Sequence, residues 1–314
     1  MILRILNIWQ RSITRLIQNM EKFMKSIFSS ISLLLSLSVM SCGSYAQDDV
    51  PIPDGPYLGQ TPPGSTPEIF APGIVNTEEF IEIQGMFGAD MNTFYFVRRD
   101  EKEVYSLNVV EYKNNQWQQS IVKQGVSAPS ISPGGETIYL NNSYIKRTSD
   151  GWSEPKKHGA PFDDIDIMRL SASSNGTYYF DTFTPKTMDT PIRYSRLING
   201  KYEQPKSLGP QFGIGRYNAH PFIAADESYI IFDSVREGGY GRSDLYISFR
   251  AADGSWGPAI NLGDKINTAH SEKNPSLSPD GKFIFFSLRT KSGNEEVNIN
   301  WVDAQIIETL RPKL

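Results

Sequence analysis

Cysteine is almost absent from this chain: among 314 residues only Cys42 occurs. A disulfide framework is therefore excluded, as is a metal site built from clustered cysteines. Histidine is nearly as scarce. His158, His220 and His270 stand far apart, without the short spacings typical of zinc or copper ligands, so neither a metal nor another cofactor is expected. Excess positive charge is missing too, with 31 Lys+Arg against 35 Asp+Glu. Residues 1–41 hold five of the basic residues and one of the acids, which leaves the remainder more acidic than the whole. Nucleic-acid affinity rests on a basic surface that neutralises phosphates, so no nucleic-acid partner is expected. A G-x-S-x-G nucleophile elbow is also lacking.

Long apolar runs are confined to one stretch, Ile27 to Met40, which is dotted with serine and too short to span a bilayer comfortably. Lys22 and Lys25 precede it and small residues follow, the pattern of a signal peptide. Two cleavage readings compete. Val39-Met40-Ser41-Cys42 resembles the lipobox of bacterial lipoproteins, whereas Ser44-Tyr45-Ala46 offers an ordinary signal-peptidase site. The sole cysteine standing at the lipobox position favours lipidation at Cys42. Residues 1–19 read as an upstream extension, with Met20 or Met24 as alternative starts. The organisation expected is an extension plus signal peptide over 1–41, a Pro/Gly-rich tether over 42–66, and a folded domain over 67–314. An exported protein follows, held by a lipid anchor in the periplasm or at the outer membrane or cell surface.

What the chain does have is aromatic residues, at 12%, together with 25 Gly and 20 Pro, a mix that favours strands and tight turns. A repeat organises them. Asn274-Pro275-Ser276-Leu277-Ser278-Pro279-Asp280-Gly281-Lys282, followed by Phe283-Ile284-Phe285-Phe286, reads as a short strand, a turn and an aromatic strand. Copies recur around Gly88, Ser132, Ala172 and Ala224, taken as equivalents of Ser278, at spacings of 44, 40, 52 and 54 residues. Each copy continues into a third strand. A fourth is marked by an aromatic residue seven positions before a glycine: Trp152, Tyr202 and Trp256, with Trp117 a looser case. Periods of this length with four strands each are the mark of a β-propeller. The fifth unit runs out after its third strand, while Thr66 to Thr77, ahead of the first unit, resembles Trp256 to Thr268. The N-terminal segment is therefore expected to supply the last blade's fourth strand and close the ring. The fold class is an all-β, five-bladed propeller of four-stranded antiparallel blades, or six-bladed if one interval hides a degenerate blade.

The Ser278-Pro279-Asp280-Gly281 turn resembles the hallmark of the WD40-like, TolB-type β-propeller repeat family. Tyr57 to Gly64, Asp244 to Arg250, and Gly254 to Pro258 with Leu262-Gly263 resemble its exported lipoprotein branch. The resemblance covers about residues 57–312. It implies a periplasmic or surface scaffold that binds proteins or other ligands.

Propellers bind over the central channel, so candidate ligand-binding residues lie just after each second strand and just before each first strand. They are Arg98 with Arg99, Asp181, His220, Asp233, Arg236, Glu272 and Arg289, with Asn274 at the position of His220. An arginine cluster clamps a carboxylate or a sugar acid through bidentate bonds; alternatively these arginines bridge blades to neighbouring acids. Asp90, Asp226 and Asp280 are explained by turn chemistry. Asp181, Asp233 and Glu272 are the acids within reach of the channel, and some five-bladed propellers are glycoside hydrolases that set an acid and a base across it. The leading expectation is a non-enzymatic cell-envelope propeller that engages a protein or glycan at its channel face. The alternative is a carbohydrate-active enzyme.

Overall fold

The structure, a computed structural model, describes residues 55–114, 116–182, 192–290 and 296–313. All of them belong to one compact unit. The signal peptide, Cys42 and the first part of the tether lie outside the described residues.

Five antiparallel blades carry the fold. The first runs Ile81–Phe87, Thr93–Arg99, Tyr105–Lys113 and Gln116–Gln124. The second comprises Pro129–Ile131, Thr137–Leu140, Ser143–Thr148 and Lys156–Lys157, and the third Ile167–Ala172, Tyr178–Thr182, Arg193–Ser195 and Lys206–Ser207. The fourth comprises Arg216–Ile223, Tyr229–Val235, Asp244–Phe249 and Ile260–Asn261. In the fifth, Ser271–Leu277, Phe283–Arg289 and Val297–Asp303 are completed by Glu68–Ile69 from the other end of the domain. The first strands of successive blades neighbour one another in a closed cycle, blade five returning to blade one. They line the channel.

Glu68 pairs with Trp301 and Ile69 with Asn300, so the expected closing strand is in place. The likeness between the segments before Thr77 and before Thr268 has a physical basis. Asn76 accepts the N–H of Ile299 at 2.7 Å and donates to its carbonyl at 3.0 Å; Asn267 makes the same two bonds to Leu245, at 2.8 and 3.0 Å. One asparagine thus clips the edge of the third strand in blade five and another in blade four. The tether expected over 42–66 includes Tyr57 and Leu58, and both are buried in the cluster around Trp301 and Phe70. Their apolar surface overrides the Pro/Gly-rich composition around them.

Turn chemistry repeats as the sequence implies. Asp90, Asp226 and Asp280 accept the N–H two residues on, at 2.9, 2.9 and 3.2 Å, and Asn175 does so for Thr177 at 3.0 Å. In blade three the N–H of Ser173 reaches the carbonyl of Thr177, a turn one residue shorter than Ser278 to Phe283. Ser173, not Ala172, is therefore the counterpart of Ser278. Trp152, Trp256, Tyr202 and Trp117 pack against the cores: Trp152 meets Tyr95 of blade one edge-on, and Trp256 meets Tyr179 of blade three.

Candidate functional site

The first strands of blades one, three, four and five each carry a bulge, at Gln84, Arg169, His220 and Asn274. Gln84, His220 and Asn274 adopt positive φ, 64°, 51° and 57°, which turns their backbone N–H groups out of the ladder. Second-strand side chains receive them. Asp181 accepts from the N–H of Arg169 and from that of His220, both at 2.7 Å. Asp233 accepts from the N–H of Asn274 at 3.1 Å, and Ser287 from that of Gln84 at 3.1 Å. Asp181, Asp233 and Ser287 thus latch blade three to four, four to five and five to one.

Arg169 occupies the centre. It is 1% exposed, and its guanidinium donates to the carbonyl of His220 in blade four at 3.4 Å and to that of Pro275 in blade five at 3.0 Å. Blades three and five are not neighbours in the ring, so this side chain crosses the channel. Burial lowers the Arg169 pKa to about 10, against the opposing pull of Asp181 and Asp233. His220 adds a 2.7 Å bond from Nδ1 to Asp233. Burial pushes the Asp181 carboxyl upward, while His220 and the backbone donors oppose that shift.

Of the residues expected from sequence, Asp181, His220 and Asp233 are brought together in this network, with Asn274 at its edge. Arg98 is held elsewhere, by Glu82 at 3.2 Å and the carbonyl of Ile74 at 3.2 Å. Arg236 is bonded to Ser234, Gln211 and Asn218 and lies over the rings of Phe232 and Tyr246. Arg98 thus pairs with an acid of its own blade, and Arg236 bonds only uncharged groups. Burial lowers the Arg289 pKa, and the positive charges of Arg99 and Arg242 add to that effect. Arg99 makes a long 3.8 Å contact with exposed Glu103, and its Nε has no hydrogen-bond partner among the described residues. Arg242 is exposed. These three stand at the far ends of the strands of blades four, five and one, opposite the turns at Asp226, Asp280 and Asp90.

Arg169 was not singled out from sequence, although it shares the bulge position of His220 and Asn274. With Ala172 aligned on Ser278, the matching residue is Met168; the shorter turn moves the match to Arg169. Arg242 also escaped notice, because it precedes a third strand.

Glu272 is fully buried, with Oε1 accepting from Thr268 at 2.6 Å and Oε2 unpartnered among the described residues. Glu82 holds the same register in blade one and faces Arg98, whereas Glu272 faces Leu288. Burial raises both carboxyls to about 7. For Glu272 the unfolded chain ionises near 4.5 and the native protein near 7, so its contribution to stability is present in full below about pH 4.5. It is lost as the pH rises through about 7, because the native state then holds the extra proton no longer. A shift of this size corresponds to roughly 3 kcal/mol. Urea unfolding of Glu272→Gln at pH 5 and pH 8 is expected to show a smaller drop in stability than the parent; an unchanged pH slope disproves the assignment.

No protein-family model matches this chain, and no curated protein does. Among solved structures, putative TolB from Agrobacterium tumefaciens superposes with a TM-score of 0.47 at 17% identity, over 71% of this chain and 77% of that one. TolB from Acinetobacter baumannii gives 0.44 at 16% over 70% of this chain, which spans only 54% of that protein's length. The α-L-arabinofuranosidase PaAbf62A from Podospora anserina gives 0.48 at 10%, over 76% and 93% of the two chains. The five-bladed propeller is established by the chain's own closed ring of blades. Among the described residues no helix is long and apolar enough to cross a membrane, and no group of three His, Cys, Asp or Glu residues is placed to hold a metal.

Proposed function

We propose that this is a non-enzymatic binding propeller, exported and held at the cell envelope by a lipid on Cys42, which engages a carboxylate-bearing protein or glycan at one channel mouth. The observation that carries the reading is the gathering of Arg99, Arg242 and Arg289 on three consecutive blades. Like charges repel one another, and arginines that end strands at one mouth favour an anionic ligand that accepts several donors in bidentate fashion. The channel acids support the non-enzymatic half. Asp181 and Asp233 are fully buried and engaged, the first by the N–H groups of Arg169 and His220, the second by the N–H of Asn274, His220 Nδ1 and the Ser243 hydroxyl, so neither presents a free carboxylate to a substrate. Glu272 lacks an arginine partner, yet it is sealed between strands and Thr268.

Polygalacturonate and a polyglutamate peptide serve as probes in calorimetry at low salt. The parent is expected to bind at least one, and Arg99→Gln/Arg242→Gln/Arg289→Gln is expected to weaken it about tenfold or more, the loss of charge-assisted bonds worth about 1.5–3 kcal/mol each. Equal binding by parent and variant overturns the arginine site. Turnover of arabinan that vanishes in Glu272→Ala overturns the non-enzymatic reading. Intact mass of the envelope-extracted protein checks the anchor: an acylated N-terminal Cys42 is expected, and a mature chain beginning at Gln47 excludes it.

A further inference from the structure

The outermost strand of blade one differs from its four counterparts. Fourth strands form the outer edges of the blades, and those of blades two to five are only two residues long: Lys156–Lys157, Lys206–Ser207, Ile260–Asn261 and Glu68–Ile69. Shortness, and lysine on the edges of blades two and three, are devices by which sheets keep unpaired backbone groups from recruiting another chain. Blade one uses neither of them. Its Gln116–Gln124 strand runs for nine residues and, among the described residues, pairs on one side only, with Tyr105–Lys113. The one irregularity is a bulge at Val122, between the pairs Leu107–Lys123 and Asn108–Ile121, which leaves Gln116 to Ile121 as a regular edge without charge, proline or glycine. Apolar surface accompanies it. Ile121 is 57% exposed, and Tyr112 of the neighbouring strand, 5.2 Å from the Trp117 ring, is 38% exposed.

We infer that this edge is a self-association surface, on which a second copy of the chain docks the same strand antiparallel and joins two four-stranded blades into one continuous sheet. A two-fold contact sets each residue against its own symmetry-related region, so it requires a centre that is uncharged and complementary to itself. Gln119 meets that requirement. With the axis there, two Gln119 amides face each other, each with a donor and an acceptor, and Gln118 faces Ser120. Alternation puts Trp117, Gln119 and Ile121 on one face, so Trp117 of each copy falls opposite Ile121 of the other, an aromatic to β-branched pair made twice. A register displaced by one residue sets Trp117 against Ser120 or against Val122 in the bulge and loses both pairs. One shared strand buries less than a standard interface, so the dimer is a weak one. The surface lies on the outside of the ring and is independent of the arginine rim.

Sedimentation equilibrium of the full mature chain, carrying Cys42→Ser to keep it free of lipid and of disulfides, is measured from about 5 to 500 µM, the range in which a small interface associates. The parent is expected to form a reversible dimer and nothing larger, because a two-fold contact uses up both edges. Gln119→Lys is expected to weaken that dimer about tenfold or more by setting two like charges directly opposite each other, and Gln119→Glu to do the same. An equimolar mixture of the two variants is expected to associate at least as tightly as the parent, a recovery that a merely structural role for Gln119 does not produce. Gln119 is exposed, so both variants are expected to keep the parent's thermal midpoint. A parent that stays monomeric throughout, or variants that associate as the parent does, overturns the inference. Weakening without recovery in the mixture overturns the register centred on Gln119. Amides of Gln116–Gln124 that become protected from hydrogen exchange in a monomer only when envelope extract is added assign the edge to a foreign strand, which overturns the second copy as its occupant.

Discussion

Trp301→Ala is expected to destabilise the domain by about 3–5 kcal/mol, the range for removing a buried Trp or Phe from a core. Trp301 is fully buried and touches four aromatic rings, those of Tyr57, Phe70, Phe283 and Phe285, with centroids 4.9 to 5.8 Å away. Two of those rings come from the N-terminal segment and two from the second strand of blade five. The indole therefore joins the two ends of the domain, and its backbone pairs with Glu68 in the closing strand. Removing it opens a cavity at the one place where the ring is held shut by strands distant in sequence. Urea unfolding checks the expectation, read as a fall in midpoint at unchanged slope. A loss below about 1 kcal/mol, the ordinary range for surface positions, shows that closure does not depend on this cluster.

Asp233→Ala is expected to have an effect of similar size, about 3–5 kcal/mol, because it removes one partner from a buried charged network. The Asp233 carboxylate accepts from His220 Nδ1 and the N–H of Asn274, and it stands within the field of Arg169. Alanine leaves both donors unmet in the interior and takes away one of the two acids that offset the guanidinium. Asp226→Ala is the control. Asp226 is an exposed turn residue bonded to Ser228, and its loss is expected to cost about 1 kcal/mol or less. Thermal unfolding of both variants at one pH separates the cases. Equal losses mean that the inter-blade latches contribute no more than an ordinary turn.

These two variants mark where sequence reasoning went far and where it stopped. Turn residues and aromatic strands act within a few positions of one another, so the repeats around Asp90, Asp226 and Asp280 were readable, and so was the likeness between the segments ending at Thr77 and Thr268. The same locality misled at blade three, where a turn shorter by one residue shifted the alignment and hid Arg169. Arg98 and Arg236 matched the pattern of rim residues, yet their surroundings bind them inward: Glu82 takes one and the Phe232 and Tyr246 rings cover the other. Nothing along the chain distinguishes a second-strand arginine facing Glu82 from one that joins Arg242.

By itself, the sequence determined the strand quartets and the borrowed closing strand, because these follow from periodic burial and turn chemistry that each blade carries within its own span, and the ring settled their number at five in place of six. Only the tertiary structure decided which polar residues meet. Closing five blades into a ring brings Arg169 against Pro275, a contact between residues more than a hundred positions apart that depends on ring geometry and on a one-residue register. Local pattern has no access to that distance.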